Sequence, residues 1–271
     1  MYHRTIEKTR YDSKMDQTGH GTGPAGVSAR RNRRLASVGL AATAVLWIVT
    51  GLLDPAVLAR LTVEDGPVET MGAAFFLLAA LLMFIDWRRS GGAGRPRLHG
   101  LGALALLLLV CAGEEISWGQ RIFGWKPPPL LAEYNLQGET NLHNLELFHP
   151  RNPDGTPKGF LPLLLNMNRL FALFWLVYCL LLPMAVPRSG GLRTLMQRLG
   201  IPVPPLWIGA LFLVSFIAPH LIEHLRPVHS LAGPLDEIKE TAHAATYVLL
   251  GLVFVGRTTA AHHSAGTVDP G

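Results

Sequence analysis

Apolar positions run along the chain in six long blocks, at about 35 to 53, 70 to 86, 98 to 114, 160 to 186, 204 to 222 and 238 to 256, separated by polar connections that carry Gly and Pro. Most blocks are close to the roughly 20 residues that span a hydrocarbon core, and none alternates with the period of a strand. The pattern predicts an all-α fold, a polytopic membrane bundle of about six transmembrane helices. The third and sixth blocks end or begin on carboxylates, Glu114-Glu115 and Asp236 to Glu240.

Residues 1–34 show no apolar period and finish on Arg30, Arg31, Asn32, Arg33 and Arg34, which predicts a disordered basic tail. The first block ends at Asp54-Pro55 without a small-residue cleavage site, so it is expected to stay as an anchor. The bundle is expected over 35–257, with a flexible tail over 258–271. The longest connection, 113–159, is the segment able to form a cap. There Pro127-Pro128-Pro129 should interrupt any helix, and Gly138 separates two short amphipathic pieces. A helix across the second piece would align Glu139, His143 and Glu146.

Arginine placement orients the spans. Arg30 to Arg34, then Arg88, Arg89, Arg95 and Arg97, then Arg188, Arg193 and Arg198, then Arg257 fall on one side of a six-span arrangement. By the positive-inside rule that side is the cytoplasm, which puts both termini there and the 113–159 cap outside.

Composition agrees with the pattern: the chain of 271 residues is 49% hydrophobic and 16% charged, with a mean hydropathy of +0.28. The formal charge of +5 sits mostly on Arg clustered between apolar runs. It therefore suits anionic lipid headgroups, and no nucleic-acid-binding motif is present. Cys111 and Cys179 are expected near opposite membrane faces, too far apart to pair. No C-x-x-C, P-loop or H-E-x-x-H signature occurs.

Ionisable residues gather at the extracytoplasmic helix ends. The fifth block reads His220-Leu-Ile-Glu223-His224, whose spacings of three and four put all three polar side chains on one face, where two imidazoles can chelate a metal. The order H-x-x-E-H is also that of inverzincins, in which the Glu is the general base. In the sixth block Asp236, Glu240, His243 and Tyr247 form another stripe, and Glu240-x-x-His243 has the spacing of one half of a di-iron carboxylate site. Arg169, counted about three turns into the fourth block, needs a partner at that depth, with Asn166 a turn away and Glu114 or Glu115 as acids. The plain alternatives are solvated helix ends for the His and Glu clusters and snorkelling for Arg169.

The strings Glu64 to Glu69, Gly113-Glu114-Glu115-Ile116-Ser117-Trp118-Gly119-Gln120-Arg121 and Gln137 to Asn144 resemble segments of uncharacterised multi-pass bacterial membrane proteins. The resemblance implies a bacterial inner-membrane setting and brings no activity with it. The chain is more loosely similar to intramembrane zinc amidohydrolases of the alkaline ceramidase type, which share histidine pairs four apart but not the Ser and Asp context.

These readings lead to an expected metal-dependent hydrolase or transferase acting on a lipid or lipid-linked substrate. Zinc, with di-iron as the alternative, would be held by His220, His224, His243, Glu240 and Glu114. Glu223 or Glu115 would be the base, Arg169, Arg121 and Asn166 would bind substrate, and Glu139 and His143 would contribute from the cap. The rivals are a proton- or cation-coupled transporter or sensor, and a structural subunit of a membrane complex that uses no cofactor.

Overall fold

Prolines and short polar residues start the helices. Pro24, Pro55, Pro67 and Pro129 each stand at a helix start, where a missing N–H costs nothing. Asp54 caps its helix by accepting the Ala56 N–H at 2.8 Å. The computed structural model describes residues 24–64, 66–91, 99–149, 152, 156, 158–160 and 166–266, with backbone alone at 24, 25, 121, 229 and 258–266. In chain order the helices are α1 Pro24–Leu52, α2 Pro55–Leu61, α3 Pro67–Ser90, α4 His99–Glu115, α5 Gln120–Phe123 and α6 Pro129–Tyr134. There follow α7 Met167–Trp175, α8 Leu182–Ala185, α9 Gly190–Leu199, α10 Leu206–Leu225 and α11 Ala232–Gly266. No strand is present among the described residues, only an isolated bridge between Asn135 and Leu145.

Among the described residues five helical segments are long and apolar enough to cross a membrane: Gly26–Leu52, Pro67–Ser90, Met167–Arg188, Leu206–Leu225 and Ala232–Arg257. Their outward faces are apolar as well, with Ile48, Leu81, Leu173, Val214 and Ile217 exposed, as expected of helices that face lipid. The protein is thus an all-helical, multi-pass membrane protein. α11 is the central rod. It packs most extensively on α3, which in turn packs on α4, and it also contacts α1 and α10. Tyr247, Leu250, Val253 and Phe254 of α11 are buried with Phe76, Met83, Leu108 and Phe212 in the main core.

The span Met167–Arg188 departs from regular α-helix for a local reason. Pro183 cannot donate to the Cys179 carbonyl, and the chain widens into a π-helix over Leu176–Leu181. Gly209 of α10 rests on that carbonyl, where any Cβ would collide with it.

The bundle has two chemically distinct poles. At one, Arg31 donates to the Leu252 carbonyl at 2.7 Å, Trp207 to Asn32 at 3.2 Å and Arg257 to the Val203 carbonyl at 2.9 Å. At the other lie the 116–149 segment and most of the acids. Arg226 there covers the end of α1, donating to the Gly51 and Leu53 carbonyls at 2.7 and 2.9 Å.

Two expectations for the ends change. The basic run Arg30 to Arg34 is helical, because α1 begins at Pro24 and arginine is a good helix former. α11 continues to Gly266, through most of the segment expected to be a tail. Residues 1–23, Arg95 and Arg97 lie outside the described residues.

Candidate acidic cavity

The segment Gly113 to Gly119 builds the wall of the site. α4 ends at Glu115, and the chain then turns through left-handed backbone at Ser117, Trp118 and Gly119, with φ of 45°, 53° and 77°. Such φ values are costly for residues with a Cβ and persist only where neighbours over-determine them. Here they do. Trp118 Nε1 donates to Glu114 Oε1 at 2.7 Å, and Ser117 Oγ donates to Glu139 Oε2 at 2.7 Å. The indole lies flat on Gly113, where a Cβ would approach its ring within 3.0 Å.

Glu114 is saturated with donors. Besides Trp118 it accepts the Leu142 and His143 backbone N–H groups at 2.6 and 3.0 Å, and His143 Nδ1 stands 3.5 Å away. Glu139 is buried and engaged by Ser117 and Asn141. Asn135 closes the loop between them, accepting the Gln137 and Glu139 N–H groups at 3.0 Å and donating to the Asn141 carbonyl at 2.8 Å. That Asx turn displaces the helix expected over Glu139, His143 and Glu146. Gly138 takes φ 67°, and Glu146 pairs instead with Lys158 at 3.5 Å.

Glu115, one residue on from Glu114, points the other way, because adjacent helix positions lie about 100° apart. It faces a cavity of about 550 Å³ between α3, α4, α7, α11 and the 137–144 loop. Seven glutamates line the cavity: Glu64, Glu69, Glu114, Glu115, Glu139, Glu237 and Glu240. No Lys or Arg lines it among the described residues. Among the described residues Glu115, Glu237 and Glu240 accept no hydrogen bond and form no ion pair, in contrast to Glu114 and Glu139. α11 is held in register by Thr241, whose hydroxyl donates to the Val68 carbonyl at 3.0 Å, so Glu237 and Glu240 meet the first turn of α3. Gly72 permits the approach: a Cβ there would stand 3.2 Å from Thr241 Oγ1 and 4.0 Å from Glu115 Oε2.

Part of the cavity lining is apolar, formed by Phe76, Leu107, Val110, Cys111, Met167 and Phe171. Behind it, Phe171 packs on His243 at 5.8 Å between centroids, and Phe76 packs on Tyr247 at 6.2 Å. His243 is 2% exposed, closed in by Trp175 and Phe212 as well, with no well-aligned hydrogen bond to either ring nitrogen. The Tyr247 hydroxyl is likewise buried without a partner.

The expected metal set is only partly brought together. Glu114, Glu115 and Glu240 line the cavity, with Glu139 and His143 across from them. His243 lies behind the aromatic floor. His220 and His224 do not join: α10 buries Phe212, Ser215, Pro219 and Ile222, so both imidazoles share the outward face with Leu213 and Ile217. His220 packs on Phe216, and Glu223 is half-buried outside the cavity lining. Among the described residues no group of three or more His, Cys, Asp or Glu side chains is arranged to hold a metal ion.

The expected substrate groups also fall elsewhere. Asn166 caps α7, accepting the Arg169 N–H at 3.2 Å, so Arg169 lies in the first turn and exposed, instead of three turns deep. Arg121 is in α5, and its side chain lies outside the described residues. Asp236 leaves the expected stripe and pairs with Lys239. Glu237 takes its place in the cavity, three residues before Glu240, a spacing equally consistent with that face. Cys111 and Cys179 are both free, Cys111 at the cavity and Cys179 in the core.

No family model, no curated protein and no solved structure matches the chain.

Proposed function

We propose that this protein is a six-span membrane protein that binds a cation in the acidic cavity and couples that binding to transport or sensing. The observation that carries the reading is the cavity lining among the described residues: seven glutamates, no Lys or Arg, and three carboxylates with no donor of their own. Carboxylates crowded between low-dielectric walls must be neutralised by protons or by a cation. His243 and Tyr247 beneath the floor add buried protonatable groups on the inward side, which favours a proton- or cation-coupled role over a purely structural one. The zinc-hydrolase reading needs His220 and His224 in one shell with Glu114, Glu240 or His243, and their outward positions do not support it.

α4 is taken as the sixth span. Its 17 residues rise roughly 25 Å, at the short end of what crosses a bilayer, and it is packed against α3 along its length. With six spans, the Arg-bearing pole faces the cytoplasm, both termini are cytoplasmic and the 113–159 segment caps the outer face. The resemblance of the 113–121 and 137–144 strings favours a bacterial inner membrane.

The test is thermal unfolding of purified protein in neutral detergent, titrated with monovalent, divalent and organic cations. A ligand at about 100 times its Kd stabilises by about 2.7 kcal/mol. At least one cation class should raise the midpoint of the wild type and lose that effect in Glu115→Gln/Glu240→Gln. A midpoint indifferent to every cation overturns the reading.

A further inference from the structure

We infer that the cavity takes an amphipathic organic ammonium, an amine or quaternary ammonium with an apolar tail or ring, and not a bare metal ion. This rests on the cation-binding reading above and narrows it to a substrate class.

Size is the first reason. A cavity of about 550 Å³ is in the range of sites for small organic molecules and far larger than an ion requires. A dehydrated metal ion needs several oxygens closing on one point, and no such set is formed among the described residues.

The division of the lining is the second. Phe76, Leu107, Val110, Met167 and Phe171 form an apolar part of the lining of the cavity that Glu115, Glu237 and Glu240 also line. A hydrated ion gains nothing from that apolar part. A ligand with a cationic head and an apolar body uses both, burying its body at about 25 cal/mol per Å² while its head meets the carboxylates. Phe76 and Phe171 also add to the lining aromatic rings, a residue type that attracts quaternary ammonium groups.

Glu240 is the third. It is half-buried, makes no hydrogen bond or ion pair among the described residues, and lines the cavity. The neighbouring ammonium, Lys239, is already committed to Asp236. A half-buried carboxylate with no donor among the described residues, in a cavity that Phe76 and Phe171 also line, is the complement of an N–H donor carried by an apolar body.

The experiment is a titration of purified full-length protein in neutral maltoside micelles, followed by tryptophan fluorescence, since Trp118 is hydrogen-bonded to cavity residue Glu114. The probes are octylamine, its neutral counterpart octanol, the hydrophilic diamine putrescine, and calcium ion. Saturable binding of octylamine is expected, at least about 10-fold tighter than octanol and putrescine, with a similar loss in the near-isosteric Glu240→Gln. Phe171→Leu should weaken octylamine and leave putrescine unchanged. Octanol equal to octylamine overturns the inference, because charge then contributes nothing. Calcium or putrescine binding tighter than octylamine, lost in Glu115→Gln/Glu240→Gln, overturns it too but leaves the cation-binding reading standing. No binding of any probe removes both.

Discussion

Replacing Glu114 by alanine removes one carboxylate that holds the end of α4, the left-handed turn and the 137–144 loop together. The side chain is 11% exposed and accepts from Trp118 Nε1, Leu142 N and His143 N at 2.7, 2.6 and 3.0 Å. A hydrogen bond to a charged group contributes about 1.5 to 3 kcal/mol, and donors left buried without a partner add a penalty. Because the three share one acceptor they are not additive, and a total loss of about 3 to 5 kcal/mol is expected. For a chain of this size that lowers the unfolding midpoint by about 10 °C. Glu115→Ala, one residue away, removes no hydrogen bond and one of several like charges, so its midpoint should stay at or slightly above the wild-type value. The assay is thermal unfolding in micelles followed by intrinsic fluorescence, with limited proteolysis of the 116–149 segment alongside. Glu114→Ala should also speed cleavage there. Equal midpoints for the two variants, or greater loss in Glu115→Ala, would refute the division of labour between these two glutamates.

Asn135→Ala removes the Asx turn and should raise protease cutting between 136 and 146 severalfold while the spans stay folded, as read on gels. Gly209→Ala drives a Cβ into the Cys179 carbonyl and should lower stability by about 2 kcal/mol or more, whereas Gly190→Ala, with open space around it, should be neutral in the same unfolding assay. Reporter fusions at Gly91 and Gly190 should report cytoplasm and one at Gly138 the outside; external activity at Gly91 or Gly190 would reverse the orientation. Cys111 should react with a small maleimide before Cys179, which is 0% exposed, as read by mass spectrometry of each peptide.

The spans are legible in the sequence because a run of about 20 apolar residues matches the thickness of a hydrocarbon core: the block at 70–86 sits within α3, and that at 204–222 overlaps α10 from Leu206 on. The facing of polar residues is not. The spacing of His220, Glu223 and His224 says that they share a face, but α10 is apolar nearly all round, and lipid and core are equally apolar, so nothing in its pattern says which face turns inward. Glu114 and Glu115 read alike in the sequence, and only the indole of Trp118 and the loop closed by Asn135 give them different work. Arg169 reads as deep when the helix is counted from Phe160, whereas Asn166 caps α7 one turn before Arg169 and leaves it at the helix end. The cavity itself is built from α3, α4, α7, α11 and the 137–144 loop, a convergence that separate stripes do not reveal.

The central claim is that Glu115 and Glu240 hold a cation in the acidic cavity. Native mass spectrometry of protein released from neutral micelles, wild type against Glu115→Gln/Glu240→Gln and each with organic amines and metal ions added, tests it most directly. The account expects one cationic adduct per wild-type chain and its loss in the double variant, whose helical content should be unchanged. The same adducts on both proteins, or none on either, would contradict it.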